Sequence, residues 1–462
     1  MIFDITMSNK PKNPKGTRDF DPLTLQRRRY IINIIRSVFL SYGYNEIETP
    51  SIEKRSTLYQ KYGSEGDKFI FNIINSGEKI RKADINSFNN EKFNDFISSI
   101  SEKGLRFDLT VPLARYVSQH QNEISFPFKR FQIQNVWRAD RPQKGRFQEF
   151  TQCDADVVGS NSILLEYEML QLFSDVFKKL KLDNVRVRIN HRKVLNAIAK
   201  KIGIKDNFNE FIILLDKIDK IGIENVKNEF KSKFQINNEI DKLFELIIKK
   251  SSAQNYLEVL KNDYLSENDK DLINELELLI DLIEKNKDLV EIDFDLSLAR
   301  GLEYYTGLIY EVSMDSMSEI GSIGAGGRYE DLTEAFNLKD NSGIGISFGL
   351  ERIYLILEKN DLFPKNITIG NDILVINFGS KYISNIAKNI NQLRLAGRKI
   401  FVYPDNIKLS KQFAYSDKND FKHVIIYGES ENEKNIVKVR NMVSGKEEIF
   451  DIENFTEIFL KK

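Results

Sequence analysis

The sequence predicts an α+β fold, in which an antiparallel sheet with flanking helices carries an inserted helical region and is followed by a C-terminal α/β domain. Phe128–Trp137 and Phe150–Val158 have the pattern of two strands joined by a Pro/Gly turn, which is typical of a hairpin. Asn196–Leu289 is rich in Lys, Glu, Asp, Ile and Leu at helical spacing. From residue 371 onward, strand-like and helix-like segments alternate.

The N-terminal part of the chain begins with an amphipathic helix, Leu23–Tyr42, which ends at Gly43. Asn45–Ile52 alternates as a strand does. Because Pro50 within it cannot donate to a strand ladder, we expect this strand at an edge or at an interface. The polar, Asn-rich stretch Glu78–Gly104 indicates an insertion or a mobile loop.

The middle of the chain contains further patterns typical of helices and strands. Ile163–Leu182 indicates an amphipathic helix, and Val185–Ile189 indicates a strand. After the helical region, Leu308–Val312 alternates, Gly321–Gly327 is rich in glycine, and Ser342–Glu358 has the pattern of a strand that turns into a helix.

The C-terminal segments predict a small mixed sheet with helices on it: strands Asp372–Phe378, Lys399–Tyr403, His423–Tyr427 and Ile436–Arg440, and helices Tyr382–Ala396 and Leu409–Tyr415. The predicted organisation has five parts. They are the first part of the core (1–195), the helical insertion (196–289), the second part of the core (290–362), a linker with Pro364 (363–370) and the C-terminal domain (371–462).

The composition excludes several classes of protein. The 462 residues include 41% hydrophobic residues but no apolar run long enough to cross a membrane, and the first residues resemble no secretory leader, so we expect a cytoplasmic protein. Cys153 is the only cysteine, which excludes an intrachain disulfide and a Cys-based metal cluster. The three histidines are widely spaced, and we predict no metal site.

Charge is balanced overall but not locally. Lys+Arg and Asp+Glu each number 68, so the net charge is zero. Between Gly379 and Lys422, however, there are nine basic and three acidic residues, a local excess of six positive charges. A patch of this kind is typical of a nucleic-acid contact.

The stretch Trp137–Asp156 carries the clearest chemistry. An Arg-x-Asp leaves an apolar strand and enters a Pro/Gly turn with two more arginines. The returning strand has polar residues at alternate positions, which places Gln152, Asp154 and Asp156 on one face. Planar guanidinium groups suit phosphate oxygens, and aromatic rings suit a purine. A salt-bridged surface hairpin is the alternative interpretation.

This hairpin resembles motif 2 of class II aminoacyl-tRNA synthetases. Four further elements, Arg106–Thr110, Leu298–Gly307, Gly324–Tyr329 and Gly349–Arg352, occur in the order found in histidyl-tRNA synthetases. The Arg-Gly-Leu-x-Tyr-Tyr and Gly-Gly-Arg-Tyr elements are specific to that family within the class. The C-terminal segments resemble the anticodon-binding domain of several class II enzymes, so the resemblance covers nearly the whole chain.

The resemblance implies an ATP site. Arg138 is expected on the α-phosphate and Phe150 under the adenine, with Asp140 near the adenine amino group. Arg146 and Arg352 are expected to hold the β- and γ-phosphates, with Mg²⁺ sharing their charge. Arg300 is expected to contact the α-phosphate and the substrate carboxylate opposite Arg138. A structural arginine paired to a carboxylate is the alternative for Arg300.

The resemblance also implies a histidine pocket of polar and acidic side chains, which would reject apolar isosteres of the imidazole. Its expected members are Asp108, Thr110, Gln152, Asp156, Arg300, Tyr305 and Tyr329. Many bacterial members carry Glu where this chain has Asp108. Asp154 receives no role from the resemblance, and Glu303 departs from the shorter residue usual in the family.

The implied partners are L-histidine, ATP and tRNA. Arg141 and Gln143 in the hairpin turn are expected to reach the acceptor end, and Asn196–Leu289 to clamp the acceptor stem. Lys408, Lys411, Gln412 and Tyr415 are expected to meet the anticodon, although an ordinary solvated helix has the same pattern. A class II resemblance also implies a homodimer through Leu23–Ile52.

Other interpretations fit parts of the sequence. Lys408–Gln412 resembles the lysine loop of class I synthetases, but no His-x-Gly-His element accompanies it, and there is no P-loop motif. A histidine-sensing regulatory paralogue of ATP phosphoribosyltransferase would share the core fold, but such proteins typically lose the phosphate-binding arginines and the anticodon domain. A class II synthetase for another amino acid is disfavoured by the element around Arg300–Tyr305.

Overall fold

The computed structural model describes residues 11–59, 69–142, 145–236, 238–249, 252–299, 305–330, 341–367 and 371–461. The strands are β1 (Asn45–Glu46), β2 (Ile52–Lys54), β3 (Asn72–Ile73), β4 (Lys103–Leu105), β5 (Phe128–Trp137), β6 (Glu149–Val158), β7 (Val185–His191), β8 (Glu291–Phe294), β9 (Leu308–Met314), β10 (Gly324–Tyr329), β11 (Gly343–Gly349), β12 (Ile373–Val375), β13 (Ile400–Val402), β14 (His423–Ile426), β15 (Ile436–Asn441) and β16 (Glu447–Asp451).

The α-helices are Pro22–Ser41, Arg55–Tyr59, Ile85–Asn89, Phe93–Ile100, Thr110–Gln119, Leu164–Lys179, Arg192–Lys201, Phe208–Leu215, Ile218–Ile221, Ile223–Phe234, Asn238–Ile248, Ala253–Val259, Lys270–Lys285, Leu350–Lys359, Ser380–Asn385, Ala387–Leu395, Leu409–Lys418, Glu429–Glu433 and Phe455–Lys461. Short 3₁₀ turns at Gly77–Lys82, Glu267–Asp269 and Asp315–Ile320, and a π turn at Leu260–Tyr264, complete the helical elements of the described residues.

The large sheet has the order β1-β5-β6-β11-β10-β9-β7-β8 within the described residues. The pairs from β5 to β7 are antiparallel, and only β1 and β8 join the sheet in parallel fashion. The hairpin of β5 and β6 lies near one edge and pairs with β11, which leads directly into the helix Leu350–Lys359. The predicted α+β class with a mainly antiparallel sheet is confirmed.

One face of this sheet is apolar and is covered by two helices. Phe39 of the first helix packs against Phe131 of β5 and Phe348 of β11, with ring centroids 5.3 and 5.8 Å apart. Phe173 and Phe177 of the helix Leu164–Lys179 contact Phe348 from the same side. Since side chains alternate along a strand, the residues between these aromatics point to the opposite face. That opposite face is polar.

Two predictions for the N-terminal part need correction. Asn45–Ile52 is not one strand: it contributes β1 at the edge of the large sheet and the start of β2 in a small sheet, with Pro50 between them. The edge position itself is confirmed. Glu78–Gly104 is not a loop. It contains two α-helices. Asp84 caps the first by accepting a hydrogen bond from the Ser87 amide, and the rings of Phe88 in the first helix and Phe96 in the second lie 5.1 Å apart.

The described residues between Arg192 and Lys285 form a series of helices, as the composition predicts. Its helices share an apolar core that includes Leu195, Phe211, Phe230 and Phe244, each fully buried. The rings of Phe230 and Phe244 meet edge to face, with centroids 5.5 Å apart. These contacts give the helices a core of their own, although the proposed limits at residues 196 and 289 stay a prediction.

The chain divides into two compact units, one formed by the residues up to Phe20 and Arg28–Leu362, and the other by Asp21–Arg27 and the residues from Phe363 onward. The second unit contains the sheet β13-β12-β14-β15-β16, with parallel pairs around β12 and antiparallel pairs beyond β14. This is the predicted mixed sheet, extended by β16 and the helix Phe455–Lys461. Among the described helices, none combines the length and apolar character needed to span a bilayer.

Candidate active site

The polar face of the large sheet is built by cross-strand pairs of β5 and β6. Gln134 lies opposite Gln152, Gln132 opposite Asp154 and Arg130 opposite Asp156. Paired residues of neighbouring strands share one face, so these six polar side chains form a patch on the side away from the covering helices. Arg130, Gln132, Asp154 and Asp156 are each at most 3% exposed.

Several buried atoms of this patch have no hydrogen-bond partner among the described residues. They are Nε and Nη1 of Arg130, Oε1 of Gln132, Oε1 of Gln152 and Oδ1 of Asp154. An unpaired buried polar group costs free energy, so buried polar groups in proteins are nearly always bonded. A cluster of unpartnered donors and acceptors on one face therefore indicates a site that binds a polar ligand.

Asp156 is the most constrained carboxylate of the patch. Its Oδ2 lies 2.8 Å from Nη2 of Arg130, and its Oδ1 accepts a hydrogen bond of 2.8 Å from the Tyr329 hydroxyl. Burial raises the pKa of Asp156, whereas Arg130 and Tyr329 oppose that shift. The carboxylate lies flat against β11 because Gly345 has no side chain: a Cβ there would be 2.0 Å from Oδ1 of Asp156.

Asp154 is equally buried but less well paired. Burial raises its pKa to about 7, and the charge of Asp156 adds to the effect. Arg130 and the Ser347 hydroxyl lower the pKa of Asp154, whereas Asp108 raises it further. Since Arg130 is already committed to Asp156, the patch holds more carboxyl groups than buried cations to neutralise them.

Tyrosines and the Arg106–Thr110 segment border the patch. Tyr305 lies over the backbone of Gly327, where a Cβ would be 2.7 Å from its ring, and packs beside Tyr329. Asp108 is 3% exposed and accepts a bond of 3.3 Å from the Val111 amide. Thr110 begins the helix that follows and is half-buried. The structure thus brings Asp108, Tyr305 and Tyr329 close to the β6 carboxylates.

The mouth of the hairpin contains the predicted ATP residues. Nε of Arg138 donates to the Phe107 carbonyl at 2.9 Å, and its guanidinium carbon lies 5.2 Å from the centre of the Phe150 ring. The Asp140 carbonyl accepts a bond of 3.0 Å from the Gln148 side chain, which fixes the first residues of the turn. The side chains of Arg138 and Phe150 are both half-buried, so each is reachable by a ligand.

The other arginines predicted to bind ATP or tRNA differ in their surroundings. Arg141 and Arg146 are exposed on the hairpin turn. Arg352, in the first turn of the helix Leu350–Lys359, donates a bond of 2.5 Å from Nη1 to the Ser322 carbonyl. Arg300 and Gln143 lie outside the described residues, as do Gly301–Tyr304, so their predicted roles stay predictions.

Sequence reasoning missed the buried cations that support the site. Arg106 donates to the carbonyls of Thr49 and Asn135, and Gln132 donates to the Thr49 hydroxyl. The signal available was the alternation of Phe128–Trp137, in which Arg130 and Gln132 fall on one face. Identifying Arg130 as a buried ion-pair partner required the register with β6.

A second missed cluster ties the N-terminal segment to Glu351, the residue before Arg352. Arg28 and Arg18 both contact Oε2 of Glu351, at 2.6 and 2.5 Å. Arg28 also donates to the Thr151 hydroxyl at 3.1 Å. These bonds connect the helix that carries Arg352 to β6, which carries the polar patch. Nothing in the local sequence of residues 18–28 indicates this partner, 323 positions away along the chain from Arg28.

In the second unit, one predicted tRNA residue needs correction. Lys408 and Lys411 are exposed at the start of the helix Leu409–Lys418, and Tyr415 is half-buried with its ring stacked 5.4 Å from Phe401. Gln412, by contrast, is 1% exposed. Its side-chain oxygen accepts a hydrogen bond from the Asn377 amide, and its side-chain nitrogen donates to the carbonyls of Asn377 and Ile407. Gln412 therefore does not belong to the exposed face.

Comparison with known proteins agrees with this geometry. The family model for histidyl-tRNA synthetase matches residues 82–353, more than half of the chain, and the model for an anticodon-binding domain matches residues 372–462. A curated histidine–tRNA ligase of Christiangramia forsetii is 48% identical over 96% of this chain and 98% of its own length. One of Flavobacterium johnsoniae is 44% identical over 98% of this chain and 100% of its own.

A solved structure extends the likeness to the fold. The crystal structure of histidyl-tRNA synthetase from Nostoc sp. PCC 7120 is 28% identical, covers 97% of this chain and 98% of its own, and superposes with a TM-score of 0.77. Both the sequence identity to curated relatives and the extent of the family model exceed what a shared fold alone would give. The chain therefore belongs to the histidyl-tRNA synthetase family.

Proposed function

We propose that this chain ligates L-histidine to its tRNA in two steps. First, an oxygen of the histidine carboxylate attacks the α-phosphorus of ATP, the bond to the β-phosphate oxygen breaks, and pyrophosphate leaves. Then a hydroxyl of the tRNA 3′-terminal adenosine attacks the activated carbonyl carbon, and AMP leaves. The observation that carries the proposal is the patch of buried, unpartnered polar atoms on β5 and β6, next to the Arg138–Phe150 pair at the hairpin mouth.

The patch would bind the amino acid. Gln152 offers an unpartnered amide oxygen to the α-ammonium group, and Asp108 and Thr110 would join it there. Asp156 and the tyrosines Tyr305 and Tyr329 would read the imidazole nitrogens. A site built to hydrogen-bond a ring discriminates strongly against analogues without the nitrogens, because its own buried groups are then left unpaired.

The hairpin would bind ATP, which enters with Mg²⁺. The adenine would stack on Phe150, near Asp140, and the guanidinium of Arg138 would meet the α-phosphate. Arg146 and Arg352 would hold the β- and γ-phosphates, and Arg300 would meet the α-phosphate from the other side. Phosphoryl transfer gains mostly from positioning and from neutralising charge, so this set of cations needs no covalent intermediate on the enzyme.

The first test is ATP–pyrophosphate exchange with each of the twenty amino acids. We expect exchange with histidine alone. A folded protein that binds histidine but catalyses no exchange would favour the regulatory paralogue, which the retained arginines of the hairpin and the C-terminal unit already disfavour. Exchange with a different amino acid would retain the class and overturn the assignment of the pocket.

The C-terminal unit would bind the anticodon through Lys408, Lys411 and Tyr415, while Arg141 and Gln143 would reach the acceptor end and the helices of residues 196–289 would clamp the acceptor stem. Exposed lysines act on nucleic acid mainly through the phosphate backbone. We expect a chain with Lys408→Ala and Lys411→Ala to lose about tenfold in kcat/KM for tRNA histidylation, with a shallower dependence on salt.

The pyrophosphate exchange of this double variant should equal that of the wild type, since exchange needs no tRNA. Lys446→Ala, at an exposed position in the turn between β15 and β16, is the matched control and should change neither reaction. An equal loss in exchange and in histidylation would contradict a role confined to tRNA.

We also propose a homodimer formed through Leu23–Ile52, acting in the cytoplasm. Strand β1 is the edge strand of the large sheet within the described part of the chain, and Leu40 of the preceding helix is 55% exposed. An edge strand with an exposed apolar neighbour is a natural place for a second copy to add. Sedimentation equilibrium measures the mass directly, and a monomer at micromolar concentration would contradict the proposal.

A further inference from the structure

We infer that Asp154 is a third carboxyl group of the histidine pocket, and that binding of histidine expels the proton which this carboxyl carries in the empty pocket. The inference rests on the proposed function, because it assigns a ligand to the same polar patch. It adds a residue that the resemblance leaves without a role, and it couples substrate binding to a proton.

The position of Asp154 places it in the floor of the pocket. It lies on β6 between Gln152 and Asp156, two residues from each, on the same face. Gln132 of β5 and Ser347 of β11 flank it in register. The two residues on either side along β6 are the ones proposed to meet the α-ammonium and the imidazole, so a ligand that spans both must cross Asp154.

The bonding of Asp154 is incomplete in a way that points to a ligand. The residue is 3% exposed, and its Oδ1 has no hydrogen-bond partner among the described residues. Asp156 next to it has both oxygens engaged, by Arg130 and by Tyr329. A buried acceptor without a partner is expensive, and a bound ammonium or ring N–H would complete it.

The charges around Asp154 favour a proton in the empty pocket. From its own strand it faces Asp156, from β5 it faces Arg130, from β11 the neutral Ser347 hydroxyl, and from the segment before the helix Thr110–Gln119 it faces Asp108. Glu311, in the same row on β9, is paired with Arg188. Among the described residues, Arg130 is the cation whose charge acts on Asp154, and it already pairs with Asp156. Burial, Asp156 and Asp108 raise the pKa of Asp154 to about 7, against the opposing effects of Arg130 and Ser347.

Histidine brings the missing positive charge. An opposite charge within hydrogen-bonding reach favours the ionised carboxylate and lowers its pKa. A group that is protonated in the free protein and ionised in the complex releases a proton on binding. The release is largest below the pKa of the free protein and fades above it, where Asp154 is already ionised.

The test is calorimetry of histidine binding to the full chain in buffers of different ionisation enthalpy, at pH 6.5 and pH 8.5, for the wild type and Asp154→Asn. The imidazole of free histidine titrates in the same way in both experiments, so the difference between the two proteins reports on groups in the empty pocket and in the complex. At pH 6.5 we expect the wild type to release up to about three quarters of a proton per histidine more than the variant, and the difference should shrink at pH 8.5.

The affinity should follow the same linkage. Asp154→Asn should weaken histidine binding most at pH 8.5, by about tenfold for each unit by which histidine lowers the pKa of Asp154. Asp154→Ser gives a second non-titrating side chain in case the amide does not fold, and thermal unfolding checks both variants. Equal proton release by the wild type and a folded, histidine-binding variant would overturn the inference. Failure of the wild type itself to bind histidine would instead overturn the proposed function.

Discussion

Replacing Arg138 by alanine should slow histidine-dependent pyrophosphate exchange by about a hundred- to a thousandfold, the usual loss when one donor to a developing charge is removed. The affinity for histidine alone should change little, since the polar patch on β5 and β6 stays intact. Arg138 is held by the bond from Nε to the Phe107 carbonyl, which leaves the two terminal nitrogens of its guanidinium at the hairpin mouth above Phe150.

Two further variants test whether the loss of exchange is specific to the guanidinium group of Arg138. Arg138→Lys keeps the charge but cannot reproduce both the bond to Phe107 and a bidentate contact with phosphate, so it should recover only part of the rate. Arg141→Ala removes an exposed arginine from the same turn and should leave exchange near the wild-type rate. If Arg141→Ala were as damaging as Arg138→Ala, the effect would belong to the fold of the turn and not to a contact with the α-phosphate.

The fold can be predicted where hydrophobic periodicity and local turn chemistry agree. The hairpin, the helix Leu164–Lys179 and the strand-to-helix turn at Gly343–Lys359 all carry such signals, and the structure has each of them within a few residues of the predicted limits. The prediction of a loop for Glu78–Gly104 is wrong because it followed the polar, Asn-rich composition and overlooked the helical spacing of Phe93, Phe96 and Ile100. The cap at Asp84 and the contact between the rings of Phe88 and Phe96 add to that spacing, and neither follows from composition.

The candidate site, too, is only partly predictable from local sequence patterns. The polar face of β6 follows from the two-residue period of a strand, so the sequence alone is enough to place Gln152, Asp154 and Asp156 together. The partners of that face do not follow from the sequence, because they depend on register between strands distant along the chain. Arg130 becomes the counter-ion of Asp156 only when β5 pairs with β6 at that one position.

Gln412 illustrates the opposite error. It lies one residue after Lys411 in a basic, polar stretch, and the sequence therefore suggests an exposed face. On a helix, however, neighbouring residues point in directions about 100° apart, and Gln412 falls on the side that packs against the loop after β12. There it satisfies backbone groups that would otherwise be buried without partners. A polar side chain near a charged one is thus no evidence of exposure.

Gly345→Ala should disable the pocket although it removes no functional group. The added Cβ would lie 2.0 Å from Oδ1 and 2.5 Å from the carboxyl carbon of Asp156, far inside van der Waals contact. Asp156 cannot move away easily, because Arg130 and Tyr329 hold its carboxylate. The backbone at residue 345 cannot shift easily either, because it lies in the middle of the sheet. We expect a loss of stability of about 1–3 kcal/mol, as for other overpacked cores, together with at least a tenfold loss of histidine affinity.

Gly349→Ala separates this effect from the general cost of a substituted glycine on the same strand. The nearest atom to a Cβ at Gly349 is the Ile323 carbonyl oxygen at 3.4 Å, an ordinary contact. Denaturant unfolding and histidine calorimetry on both variants measure the two effects separately. Equal affinities for histidine in the two variants would mean that the arrangement of Asp156 against β11 does not matter for binding. A loss confined to Gly345→Ala would place the recognition of the amino acid on the Arg130–Asp156–Tyr329 network, because that network is what the added methyl group displaces.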